Sequence, residues 1–92
     1  MNSRLTHEFI AAFAALPDRI KRPARKNYRF WSQNPAHPSL DFKRIGNSVP
    51  AYYIRVGIGW RALGVHDETD DTITWFWIGS HAEYDGILRR MG

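Results

Sequence analysis

The stretch Thr72-Ile73-Thr74-Trp75-Phe76-Trp77-Ile78-Gly79-Ser80-His81 decides the fold. It is the most apolar segment of the chain. It is aromatic and β-branched, the composition of a central strand. Asp70-Asp71 before it signals a turn, and Gly79-Ser80 closes its apolar part. Strict alternation puts Trp75 and Trp77 on one face and Phe76 on the other, so both faces need cover. One histidine, His81, stands at its end.

Working outward, the strand period of two continues upstream. Residues 60–66 read as a strand joined to the first by a polar loop at 67–71, and residues 51–58 read as another. Gly57 and Gly59 between them mark a tight turn or a bulge. Residues 40–45 form the earliest strand, with Leu40, Phe42 and Arg44 on one face and Asp41, Lys43 and Ile45 on the other; Gly46-Asn47 ends it. Before it, Asn34-Pro35-Ala36-His37-Pro38-Ser39 is a loop punctuated by two prolines. Consecutive strands with short connections predict an antiparallel meander of four strands.

Further upstream the period becomes helical. Leu5, Phe9, Phe13 and Leu16 make one buried stripe over residues 5–16, with Thr6 as cap and Glu8 at the positive end of the dipole. Pro17 suits the first turn of a second helix over residues 18–33. Its apolar face is Ile20, Ala24, Tyr28 and Trp31. Its other face carries Arg19, Lys21, Arg22, Arg25, Lys26 and Arg29. Pro23 predicts a bend. The short connection predicts that the two helices form an antiparallel hairpin. Residues 81–90 resemble a short terminal helix capped by Ser80 and weakened by Gly86. The expected fold is α+β: an N-terminal helical hairpin packed on one face of a four-stranded antiparallel sheet, with a short C-terminal helix. Length makes residues 1–92 a single domain.

Composition narrows the function. The core of so short a chain is thin, and four Trp, four Tyr and five Phe compensate with large buried rings. No apolar run is long enough to span a membrane, and the N-terminus has no cleavage pattern, so no membrane is expected. Cysteine is absent, which excludes disulfides and thiolate metal sites and fits a reducing cytoplasm. Lys and Arg number 13 against 9 Asp and Glu, and ten of the 13 are arginine. Arginine forks match phosphate and carboxylate, so the partner class is nucleic acid or an acidic protein.

No cofactor or metal motif is present. His7, His37, His66 and His81 share no ligand spacing, Gly57-x-Gly59 lacks the rest of a phosphate loop, and no serine sits in a nucleophile elbow. The remaining constellation is basic: Lys43, Arg44, Arg55, Arg61 and His81 come from consecutive strands or their ends. Residues on one face of adjacent strands sit about 5 Å apart and can converge. Cleaving RNA through its own 2′-hydroxyl needs a base for the hydroxyl proton, cations on the phosphate and an acid for the departing oxygen. Histidine as a residue type titrates near neutrality and suits the acid or base step. Arg55 and Arg61 suit the phosphate. Lys43 suits either task if desolvation lowers its pKa. The bland alternative is a solvated basic sheet face with the tryptophans in the core.

These residues resemble a family. Asn34-Pro35, His37-Pro38-Ser39-Leu40, Phe42-Lys43-Arg44, Ile54-Arg55-Val56-Gly57, Trp60-Arg61-Ala62-Leu63, and Trp75-Phe76-Trp77-Ile78-Gly79-Ser80-His81 with Tyr84-Asp85 are similar to the RelE/ParE superfamily of bacterial toxins from toxin–antitoxin pairs. The resemblance implies a small metal-free ribonuclease that cuts messenger RNA on the ribosome and leaves a cyclic phosphate. Lys43, Arg55, Arg61 and His81 match its working basic positions, and Tyr84 matches a tyrosine used by some members. It also implies a cognate antitoxin as partner. ParE-like members with the same fold instead poison DNA gyrase, and a third possibility is an inactive homologue that only binds antitoxin. Arg22, Arg25 and Arg29 are additional candidates for RNA contact, equally readable as a solvated face or a surface for an acidic antitoxin. Many members open with a strand paired into the sheet. Residues 1–4 are too short and polar for one, so that edge is expected to be missing or filled by a partner. The extra Ile58 also leaves open whether Arg55 and Arg61 face the same way.

Overall fold

The structure is a computed structural model that describes residues 1–37, 40–45 and 50–91. Pro38-Ser39 of the expected loop and the strand end at Gly46-Asn47 lie outside these residues. In chain order the elements are β1 (Asn2–Leu5), α1 (His7–Ala14), α2 (Asp18–Gln33), β2 (Lys43–Ile45), β3 (Ala51–Gly57), β4 (Trp60–Asp67), β5 (Thr72–Ser80) and α3 (His81–Met91). The sheet order is β1-β5-β4-β3-β2, with β1 parallel to β5 and the remaining pairs antiparallel.

The sheet therefore has five strands and is mixed, not the expected four and antiparallel. The added strand is the polar N-terminus. Its pairing needs only backbone groups: Asn2 N–H donates to the Asp71 carbonyl at 2.8 Å and Thr6 N–H to the Trp75 carbonyl at 3.0 Å. Ser3 Oγ and the Tyr28 hydroxyl are hydrogen-bonded, tying β1 to α2. As an edge strand β1 buries little, which is why side-chain polarity hid it.

α1 begins where the sequence suggests, with Thr6 Oγ1 accepting from Phe9 N–H at 3.1 Å. α2 has the expected bounds and runs without a break through Pro23. The two helices do not zip into a hairpin. α1 rests on β5 and α2 on β3, so each apolar stripe is met by the sheet. Phe9, Leu16, Ile20, Ala24 and Trp31 pack with Ile54, Val56, Ala62, Ile73, Trp75 and Ile78 of that sheet face. α3 lies on the opposite face, where Tyr84 meets Tyr53, so helices cover both sides. Its start is a capping box: Glu83 N–H donates to Ser80 Oγ, and Ser80 N–H and Oγ donate to the Glu83 carboxylate.

Two irregularities set the facing of side chains. A bulge between Leu63 and Gly64 pairs Leu63 with Trp77 but Gly64 with Trp75. The extra residue, Phe76, breaks the alternation, so Trp75 and Trp77 point to opposite faces and do not share one. At the β3–β4 turn the register shifts between Arg55 and Gly57, which leaves Val56 as the odd residue. Gly59 closes this turn at φ 77°.

Candidate functional site

The site lies on the sheet face away from α1 and α2. Register builds it. Lys43 pairs with Tyr53, and Arg55 pairs with Arg61. Lys43, Tyr53, Arg55 and Arg61 therefore share this face, and the facing that Ile58 left open is resolved. Two arginines directly across a ladder repel each other. Anions on this face offset that cost.

One such anion is built in. Asp41 lies just before β2 with φ 50°, a left-handed conformation that ends any strand there. This is why β2 starts at Lys43 and not at Leu40. The Asp41 carboxylate accepts from the Tyr53 hydroxyl at 2.7 Å and from Lys43 Nζ at 3.0 Å, and a terminal nitrogen of Arg55 lies 3.9 Å away. The hydrogen bond from Tyr53, then the one from Lys43, hold the Asp41 carboxyl below its ordinary pKa. Asp41 in turn raises the pKa of Lys43. This direction is opposite to the lowering by desolvation that a proton-transfer role for Lys43 needs: its ammonium lies beside a carboxylate.

Tyr53 is the hub. Burial first, then its bond to Asp41, pushes its phenol pKa up. The Arg61 guanidinium lies 6.0 Å from its ring, and Arg61 also donates to the Trp60 carbonyl at 3.0 Å. The Tyr84 ring is 5.5 Å from Tyr53 and 6.0 Å from His81. Tyr84 is buried, and burial raises its pKa, so it keeps its proton. His81 stands at the start of α3, its backbone N–H donating to the Gly59 carbonyl at 2.7 Å. Its ring is half-exposed and has Nε2 3.5 Å from an Asp85 carboxylate oxygen. The face thus runs from an exposed imidazole through two protonated phenols to three cations. Such an array can hold a phosphate and exchange a proton at His81.

Of the residues expected from sequence, His81, Lys43, Arg55, Arg61 and Tyr84 come together. Arg44 does not, because it pairs with Tyr52 and so faces the other side. Arg22, Arg25 and Arg29 lie on α2, also on the other side, where with Asp18 and Lys21 they line a shallow depression. Sequence reasoning missed Asp41 and Tyr53. For Tyr53 the signal was present, since it lies two residues before Arg55 on β3; Asp41 lies before β2 and reaches the site through its left-handed backbone. Among the described residues, no three His, Cys, Asp or Glu side chains cluster to hold a metal.

A family model described as the ParE-like toxin domain matches residues 18–86. No curated protein matches the sequence. Among solved structures, the fold is similar to that of the RelB–RelE antitoxin–toxin complex from Methanococcus jannaschii, at 21% identity over 89% of this chain and 95% of that one, TM-score 0.69. It is similar to YafQ from E. coli strain BL21(DE3), at 11% identity over 90% and 96%, TM-score 0.70. It is also similar to the isolated E. coli RelE toxin, at 10% identity over 99% and 98%, TM-score 0.68.

Proposed function

The chain belongs to the ParE-like toxin family of the RelE/ParE superfamily, and on that premise we propose that it is the toxin of a toxin–antitoxin pair. Its activity in this reading is ribosome-dependent cleavage of messenger RNA without metal. The observation that carries it is the shared face of Lys43, Arg55, Arg61, Tyr53, Tyr84 and His81. In the reaction the 2′-oxygen attacks phosphorus and the bond to the 5′-oxygen breaks, leaving a cyclic phosphate and a 5′-hydroxyl. Of the two proton transfers, His81 carries one, taking the 2′-hydroxyl proton or protonating the departing 5′-oxygen, and water carries the other. Lys43, Arg55 and Arg61 hold the equatorial oxygens as charge grows on phosphorus. Tyr84, kept protonated by burial, donates a hydrogen bond beside them. A cognate antitoxin is the partner, supported by the solved toxin–antitoxin complex of similar fold.

A translation extract programmed with a defined messenger tests this. Wild-type protein cuts the messenger, and His81→Ala loses about 10²–10⁴-fold in rate. Equal cleavage by both proteins overturns the role of His81. The ParE-like description of the matching model favours a second reading, a gyrase inhibitor of the same fold. Intact messenger together with blocked supercoiling by purified gyrase decides for that one.

A further inference from the structure

Lys43, Tyr53 and Arg55 are groups that the polar face offers to an anion, and all three are turned toward one carboxylate of the chain itself. Asp41 accepts from the Tyr53 hydroxyl at 2.7 Å and from Lys43 Nζ at 3.0 Å. A terminal nitrogen of Arg55 lies 3.9 Å from the oxygen that Tyr53 bonds. Two cations and a hydroxyl converging on a pair of acidic oxygens is also the donor arrangement that suits a phosphate.

Neighbouring residues fix Asp41 in place. Leu40 is wholly buried, and the Phe42 ring stacks on Tyr52 at 4.9 Å on the other side of the sheet. Between these two anchors Asp41 takes its left-handed φ of 50°. Its backbone cannot carry the carboxylate away without unseating Leu40 or Phe42. The cations are freer. The side chains of Lys43 and Arg55 are 62% and 46% exposed, against 25% for Asp41. A phosphate arriving from solvent therefore meets the cations, with the sheltered carboxylate already holding them.

We propose that Asp41 is a built-in competitor for RNA phosphate. RNA binds by drawing Lys43 and Arg55 off the carboxylate, and no covalent bond changes in that exchange. A tethered carboxylate competes at high effective concentration. A lone phosphate wins the cations poorly. A strand that also engages Arg61, which bonds the Trp60 carbonyl and not Asp41, wins them more readily. The proposal rests on the ribonuclease reading only for the identity of the anion. An Asp41 that merely orients Lys43 and Tyr53 has the opposite consequence: without it the donors lose their aim and RNA binds less tightly.

A short fluorescein-labelled 2′-O-methyl RNA separates the two, because it has no free 2′-hydroxyl and is bound without being cut. Fluorescence anisotropy at one fixed salt concentration reads its affinity for the full chain. Asp41→Asn and Asp41→Gly both remove the charge, and both residue types accept a left-handed φ. Each is expected to bind the RNA about fivefold to tenfold more tightly than wild type, the effect of one charge about 4 Å away in a water-rich setting. Glu68→Gln, at an exposed position between β4 and β5, makes the same change in net charge and is expected to move affinity less than about twofold. Lys43→Ala is expected to cost more affinity in the Asp41→Asn background than in wild type. Circular dichroism checks the fold, and Asp41→Gly, which relieves the left-handed strain, carries the test if Asp41→Asn unfolds. RNA bound no more tightly by the folded Asp41 variants overturns the proposal, as does a gain no larger than that of Glu68→Gln. An equal cost of Lys43→Ala in both backgrounds also overturns it. Neither ribosome nor cleavage enters this assay, so its failure and the failure of the ribonuclease reading are separate results.

Discussion

Asp41 holds a left-handed φ of 50°, which costs a non-glycine residue on the order of 1–2 kcal/mol. The bonds to Tyr53 and Lys43 offset that cost. Because the folded pKa of Asp41 is lowered, its contribution is present above the ordinary carboxylate value and is lost as pH falls through the folded value. Lys43 is raised, so its contribution is present below the ordinary ammonium value and is lost as pH rises through the folded one. Asp41→Asn is therefore expected to lower the urea midpoint at about pH 7, with the gap to wild type narrowing at about pH 3. Tyr53→Phe removes one hydrogen bond to a carboxylate and keeps the ring, so a loss of about 1–2 kcal/mol is expected in the same measurement. At this scale His81, Lys43, Arg55, Arg61 and Tyr84 were legible as residue types, and the face that each joins was not. Asp41 was read only as a strand position, because its left-handed backbone is not encoded in any local signal.

Among the elements, the three helices and the four strands with alternation were legible, the terminal helix from its Ser80 cap. β1 was not, because an edge strand paired through its backbone leaves no hydrophobic pattern. The bulge at Phe76 was equally hidden, since a tryptophan on either side of it looks like strict alternation. Two glycines respond oppositely to a methyl group. A Cβ on Gly64 would lie 2.7 Å from Cε3 of Trp75 and 2.9 Å from Cγ1 of Ile73, both buried. Gly64→Ala is expected to destabilise by about 1–3 kcal/mol through overpacking. Around Gly86, in α3, nothing among the described residues beyond its chain neighbours and the helix's own backbone lies within 4 Å of such a Cβ. Gly86→Ala is expected to stabilise by roughly 0.5–1 kcal/mol, because alanine loses less backbone entropy in a helix. Denaturant unfolding of the two variants side by side checks both signs.

The molecule as a whole presents two surfaces on opposite sides of one sheet: a polar face with three cations and a histidine, and an apolar groove between α1 and α2 with Arg25 and Arg29 at its rim. The first is expected to bind single-stranded RNA with strong salt dependence. Three phosphate contacts, from Lys43, Arg55 and Arg61, give a slope of log affinity against log salt of about −2. Arg61→Ala makes that slope shallower by about 0.7, as fluorescence anisotropy over a salt series would read. By itself the sequence determined the order of most elements, the α+β class and the family, because periodicity and short basic-aromatic motifs are local properties of a chain. Only the tertiary structure decided which side each charge takes and that α1 and α2 stand apart over a groove. Those depend on bulges, edge pairing and the competition of sheet and helix for the same apolar stripe, and each of these joins residues far apart in the chain.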